Sequence, residues 1–467
     1  MGMPTNLRRA ARLRAPLPLL RWRLPSGRGA TEQPNATGDG DAALNMRFWL
    51  ALVATGVAAG LLGALMMSLL FGVEHVVYGY SSGAFEDAVK RVSDTRRLGT
   101  LLVAGLAGGV AWYFLRRVTA GERSDVDDAI WTGDAKLSFR RCFGTSVISE
   151  LVIGMGASIG REQAPKLMGA ASGSVVADWL KLTKGQRRLL VACGAGSGLG
   201  AVYNVPLGGA LFTVEVLLGA SVLPVVLPAI VCSFTATLAA WVYLPSHATY
   251  LDVPSYALTS ALMVWACLAG PVVGLFAVGY IRLIGWVSYT RATRWRAVPA
   301  MIFAFGALGL IGFAYPQLFG NGKDMAHDVF LSQGGVWLLL ALAMLKPLVT
   351  AGCLKSGAAG GVFTPTLSTG AVLGGFLGLV WSQLWPGSPA GAYAMVGAAA
   401  MIGAAMQAPL SGVVLVLELT QTGFQLLVPM IAATAIATAV ARYVDGYSIY
   451  SARLPAESPS KMGALEG

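Results

Sequence analysis

The sequence predicts an all-α, polytopic membrane protein, and three observations predict it. The chain of 467 residues is 55% hydrophobic and only 12% charged, with a mean hydropathy of +0.64, too apolar for a domain with a water-facing surface. Apolar runs long enough to cross a bilayer, about 20 residues, recur along it, as in Phe48 to Phe71, Leu98 to Leu115 and Pro299 to Gly322. Two stretches are much longer than one crossing. Between Leu189 and Leu251 the only Asp, Glu, Lys or Arg is Glu215, and between Ser356 and Leu417 there is none. Each must hold several helices joined by tight turns, some too short to span. The 59 glycines and 22 prolines fall largely inside these runs, and irregular backbone at membrane depth is tolerated only under protein cover or along a water-filled cavity. That points to a transporter or channel, not an anchor.

Taken in order, residues 1–46 read as a basic arm and linker. Arg8, Arg9, Arg12, Arg14, Arg21, Arg23 and Arg28 precede the first span, and basic flanks are retained on the cytoplasmic side. The arm supplies much of the net charge of +11, so topology rather than nucleic-acid binding accounts for it. With prolines and no apolar stretch of its own it is no secretory signal; an Arg-rich, acid-poor start also fits an organellar transit peptide. Residues 47–455 form the transmembrane domain and 456–467 a short tail. The five cysteines are scattered and read as reduced packing residues. His75, His247 and His327 make no metal-ligand spacing. No metal or other cofactor is expected, and the lipid bilayer is the evident partner.

The chain repeats itself at an offset of 203 residues. Gly194 to Glu215 lies over Gly397 to Glu418 without a gap, so that Gly200 meets Gly403, Pro206 meets Pro409, Gly209 meets Gly412 and Glu215 meets Glu418. Upstream of each copy stands a second matched element, Gly160-Arg-Glu-Gln-Ala-Pro165 and Gly361-Val-Phe-Thr-Pro365. The halves run from about 47 to 245 and from about 255 to 450. Interrupted helices at corresponding places in two halves are the best sequence pointer to a binding site at their interface.

A helix that starts within the membrane has unpaired N–H groups and a partial positive charge at that end, and so binds an anion without a full cation. Glycines before it allow close approach, and proline suits its first turn. Glu162, ionisable within an apolar span, is then a functional candidate: a tethered carboxylate competes with the anion, and protonation releases it. The competing expectation is an ion pair of Glu162 with Arg161 or Lys166.

Gly160-Arg161-Glu162, Gly361-Val-Phe-Thr-Pro365, Asn204-Val-Pro-Leu-Gly with Glu215, and Tyr447-Ser-Ile-Tyr450-Ser-Ala-Arg-Leu together resemble the signatures of the CLC family of chloride channels and chloride/proton antiporters, prokaryotic type. The resemblance implies two inverted repeats of broken helices, about 17–18 helices per subunit. It further implies a homodimer with a pore in each subunit, both termini cytoplasmic, and no cytoplasmic regulatory domains after Tyr450. Glu162 is then the gate, and the anion site draws on Gly121, Arg161, Gln163, Val362, Phe363, Thr364 and the hydroxyl of Tyr450. The dimer interface is expected around Ala210 to Leu223 and Val413 to Pro429. A bacterial inner membrane is the expected location, with chloride or another small anion as the transported ligand.

Two departures shape the functional expectation. Where the family has Gly-Ser-Gly-Ile-Pro, this chain reads Ala120-Gly121-Glu122-Arg123-Ser124, so Gly121 replaces a serine that binds the anion. Proton-coupled relatives usually carry a glutamate immediately after the residue aligned with Glu215, and here it is Val216. Val216 favours a passive channel, with the antiporter and a fluoride exporter of the same fold as alternatives. Glu215 and Glu418 are expected to share a structural role, such as accepting N–H bonds at a helix start. Gly156-Ala-Ser158-Ile-Gly160 matches the Gly-x-Ser-x-Gly pattern of serine hydrolases, but that pattern needs a strand-to-helix elbow and a histidine base, and no enzyme is expected.

Overall fold

The computed structural model describes residues 44–132 and 134–454; the basic arm, the linker at 31–41 and the tail at 456–467 fall outside them. Seventeen α-helices and no named strand are present among the described residues. The first half contains α1 (Met46–Tyr78), α2 (Phe85–Arg91), α3 (Asp94–Val118), α4 (Val126–Thr132), α5 (Phe139–Gly154), α6 (Gln163–Trp179), α7 (Lys184–Tyr203), α8 (Pro206–Leu211), which continues as a π-helical segment Phe212–Leu218, and α9 (Leu223–Ala240). The second contains α10 (Ser260–Tyr289), α11 (Ala297–Ile311), α12 (Lys323–Phe330), α13 (Val336–Lys355), α14 (Phe363–Trp381), α15 (Ala390–Met406), α16 (Pro409–Thr420) and α17 (Leu427–Val444). Eight helical segments are long and apolar enough to cross a membrane: this is a multi-pass membrane protein. The others fall short of about 20 residues or lack sufficient apolar character.

With α2 set aside, the halves correspond helix by helix. The 203-residue offset has a conformational counterpart: α7 ends on Asn204 at φ 55° and α15 on Gln407 at φ 57°, and in each half a proline then starts the next helix. The matching helices α3 and α11 pack against each other in opposite directions. Gly109 lies against Val298, Gly105 against Met301 and Ile302, and Gly309 against Leu98 and Leu101, an order that reverses along the pair. The halves are therefore inverted repeats. Equivalent close packing recurs between α6 and α7, where a Cβ on Gly169 would lie 2.0 Å from the Gly194 carbonyl oxygen, and between α14 and α15, where a Cβ on Gly397 would lie 2.6 Å from Gly374 Cα.

The expected span Pro299 to Gly322 is corrected. Helix α11 ends at Ile311, because Pro316 opens a separate 3-10 turn and Gly320 and Gly322 take φ values of 65° and 92°, which a helix does not accommodate. All five cysteines are free, four of them buried.

Candidate anion site

The two matched glycine elements meet. Gly160 N–H donates to the Gly361 carbonyl at 2.9 Å and Gly361 N–H to that of Gly160 at 2.8 Å, an isolated antiparallel bridge from which α6 and α14 both begin. Glu162 sits at the cap of α6, but its side chain crosses to the start of α14. There its Oε1 accepts from Phe363 N–H at 2.7 Å and more weakly from Thr364 N–H at 3.4 Å, and its Oε2 accepts from the Thr364 hydroxyl at 2.9 Å. Tyr203 O–H lies 2.6 Å from Thr364 Oγ1 and 3.4 Å from Glu162 Oε2. The carboxylate thus occupies the anion position of a helix N-terminus. The glycines are sterically required: a Cβ on either Gly160 or Gly361 would lie 2.0 Å from Glu162 Oε1.

Of the residues singled out from sequence, Glu162, Phe363 and Thr364 come together, with Val362 fully buried as the cap residue before α14. Arg161 is buried beside them, its guanidinium carbon 5.3 Å from the ring centre of Tyr203 and 5.9 Å from that of Phe71. Among the described residues neither Arg161 nor Lys166 pairs with Glu162; Lys166 pairs with Asp127. Gly121 stands apart in a turn after α3, at φ 84°, with nothing near a built Cβ. Tyr450, 5% exposed, packs edge-on against Phe212. Val216 is buried in the π-helical segment.

Glu215 and Glu418 reach across to each other's repeat. Glu215 accepts from Leu410 N–H at 3.2 Å and Ser411 N–H at 2.6 Å, and from the Ser411 hydroxyl at 2.7 Å. Glu418 accepts from Leu207 N–H at 3.1 Å and Gly208 N–H at 2.5 Å. Each carboxylate caps the short helix of the opposite half, which has no side-chain cap of its own.

Sequence reasoning missed Tyr203, the Asp127–Lys166 pair, and three other buried charges. Glu150, fully buried, has no hydrogen-bond partner among the described residues; it and Glu74 lie within electrostatic reach of Arg161. Lys346 donates to the Ser158 hydroxyl at 2.8 Å and to the Gly320 carbonyl at 2.9 Å. A lone charge in an apolar run was the available signal for each. Ser158 is wholly buried, and the three histidine rings bond to the carbonyls of Tyr80, Ala248 and Leu251 instead.

Next to this site opens a cavity of about 770 Å³ whose walls include Arg116, Arg123, Arg141, Arg291, Arg294 and Arg453, with Glu122, Asp125 and Asp128 among them, and also Gln163, Leu167 and Gly360. Burial lowers the Arg291 guanidinium from its ordinary value, and Arg453 and Arg141 push the same way, against Asp125. Such mutual repulsion favours an anion in the cavity.

The sequence model described as the voltage gated chloride channel matches residues 104–442. The chain belongs to that family, the CLC family. Among curated CLC relatives, the Voltage-gated ClC-type chloride channel ClcB of Salmonella typhi is 30% identical over 415 residues, covering 85% of this chain and 97% of that protein. ClcB of Escherichia coli (strain K12 / DH10B) is 29% identical over 421 residues, covering 86% and 98%. The fold is shared with a slow cyanobacterial Cl-/H+ antiporter, at a TM-score of 0.73, 22% identity, and 87% and 97% coverage. It is also shared with a CLC-type fluoride/proton antiporter, at 0.71, 21%, 87% and 97%.

Proposed function

We propose that this CLC chloride transporter exchanges chloride for protons, with Glu162 as the group the two ions share. The observation that carries the reading is the Glu162 carboxylate seated on the N–H groups of Phe363 and Thr364. Ionised, it fills the place an anion would take. Protonated, it loses the charge that holds it there and gives way to chloride, so each ion's arrival displaces the other. Glu150, buried and without a hydrogen-bond partner among the described residues, offers a further proton-carrying group near Arg161 and Glu162. The two solved antiporters of this fold support the reading.

Passive conduction is the second reading, and Val216 favours it, since a buried valine offers no carboxylate for the onward step. Proteoliposomes clamped with valinomycin under a chloride gradient separate the two. Exchange predicts uphill proton movement at a fixed ratio to chloride; chloride flux with no proton movement would establish the channel. Running the assay with fluoride tests the exporter alternative. The reading carries with it a homodimer in a bacterial inner membrane with both termini cytoplasmic.

A further inference from the structure

Helix α6 carries two charged side chains one turn apart, Glu162 at its cap and Lys166, a spacing that sets them on neighbouring parts of one face. Glu162 turns to α14. Lys166 turns to α4, where its Nζ lies 2.9 and 3.0 Å from the two carboxylate oxygens of Asp127. The same ammonium lies 4.6 Å from the ring centre of Tyr450 and 5.7 Å from that of Phe212. The residue is 2% exposed, yet Gln163 and Leu167, on the adjacent side of the helix, line the arginine-rich cavity. Lys166 therefore belongs to the same turn of α6 as residues that line the cavity, with its ammonium turned to Asp127 and Tyr450.

A buried ion pair gains little stability over an apolar pair of the same volume, so packing gives no reason for this one. Its surroundings do. A carboxylate and two aromatic faces surround the ammonium, partners that a lysine cation attracts. Asp127 occupies two of its three N–H donors, and the ammonium retains capacity for one more acceptor.

We propose that Lys166 is the charged element of an inner anion site beside Tyr450, taking a small monovalent inorganic anion, and that Asp127 competes with that anion for the ammonium and sets how tightly it is held. The proposal rests on the anion-transport reading and goes beyond it by adding a full cation to a pathway otherwise built from helix ends. Removing the charge weakens anion binding; removing its competitor strengthens it.

The test uses the full-length protein, with chloride affinity measured by titration calorimetry in detergent and flux measured in vesicles. Lys166→Met alone leaves the half-buried Asp127 without its cation, and breaking one side of such a pair is destabilising. The decisive variant is therefore Lys166→Met with Asp127→Asn, which removes both charges. It should bind chloride at least tenfold more weakly than wild type, while Asp127→Asn alone should bind severalfold more tightly. A double variant with wild-type chloride affinity would reduce the pair to a packing element and overturn the proposal. Bromide-soaked crystals of the wild-type protein give a readout independent of folding: an anomalous peak in contact with Lys166 Nζ is expected, and a bromide-loaded pathway with none there would also overturn it. Wild-type protein that moves no anion in vesicles would instead overturn the transport reading itself.

Discussion

Two glycines decide where Glu162 can put its carboxylate. Because a Cβ on Gly361 would stand 2.0 Å from Oε1, and because Gly361 has an ordinary backbone conformation that alanine can adopt, Gly361→Ala should evict the carboxylate without misfolding the bridge. Protonation releases the same group, so wild-type flux should rise as pH falls, and both Gly361→Ala and Glu162→Gln should give flux that stays high and flat across that range. Flux of either variant with the wild-type pH profile would remove Glu162 from the gating role. At this scale the sequence was informative about Glu162, Phe363 and Thr364, because their motifs are local. It was silent on Tyr203, which reaches Thr364 across 161 positions, and on the true partner of Lys166, whose competing pairing with Glu162 does not form. Asp127 lies 39 positions from Lys166, and no local pattern marks a pair that only the packing of α4 on the bundle brings together.

The short helices α8 and α16 show what a repeat accomplishes for its elements. Each begins with a proline after a residue that provides no side-chain cap, so its second and third N–H groups would be orphaned inside the membrane. The glutamate of the other half receives them. Glu215→Gln and Glu418→Gln each turn one acceptor oxygen into a donor facing N–H groups, and each should cost about 1–3 kcal/mol. Thermal unfolding in detergent should show lowered melting temperatures of similar size for both, whereas a shift in only one would deny the equivalence. The alignment of the two glutamates was legible because a charge in an apolar run stands out. The end of α11 was not, since hydropathy continues smoothly through Gly312 to Phe319 while the backbone breaks at Pro316 and turns through Gly320.

Across the whole molecule, large apolar side chains face outward on the helices that flank the paired caps. Leu223 is 74% exposed, Phe424 72%, Leu410 59% and Val428 54%, and all four lie on or beside α8, α9, α16 and α17. A second copy covering this face would bury the segments expected at an interface, so the protein in mild detergent should have twice the chain mass of 48.5 kDa. A monodisperse single chain would sink that expectation. The offset between similar segments carries no direction, so the residues by themselves gave only repetition and the inversion rested on the family resemblance; the reversed order of contacts between α3 and α11 bears it out.

The crossed caps also bear on how the chain is made. Leu207 leaves the ribosome well before Glu418, by an interval on the order of ten seconds or more at ordinary synthesis rates. Throughout that time the start of α8 has no carboxylate to bond, so the early half sits in the bilayer as an incomplete object that cannot reach its final form alone. The late half is equally dependent on Glu215, already in place. An ancestral single repeat would have faced the same deficit, and two identical copies meeting face to face would have relieved it for both, each lending the other its glutamate.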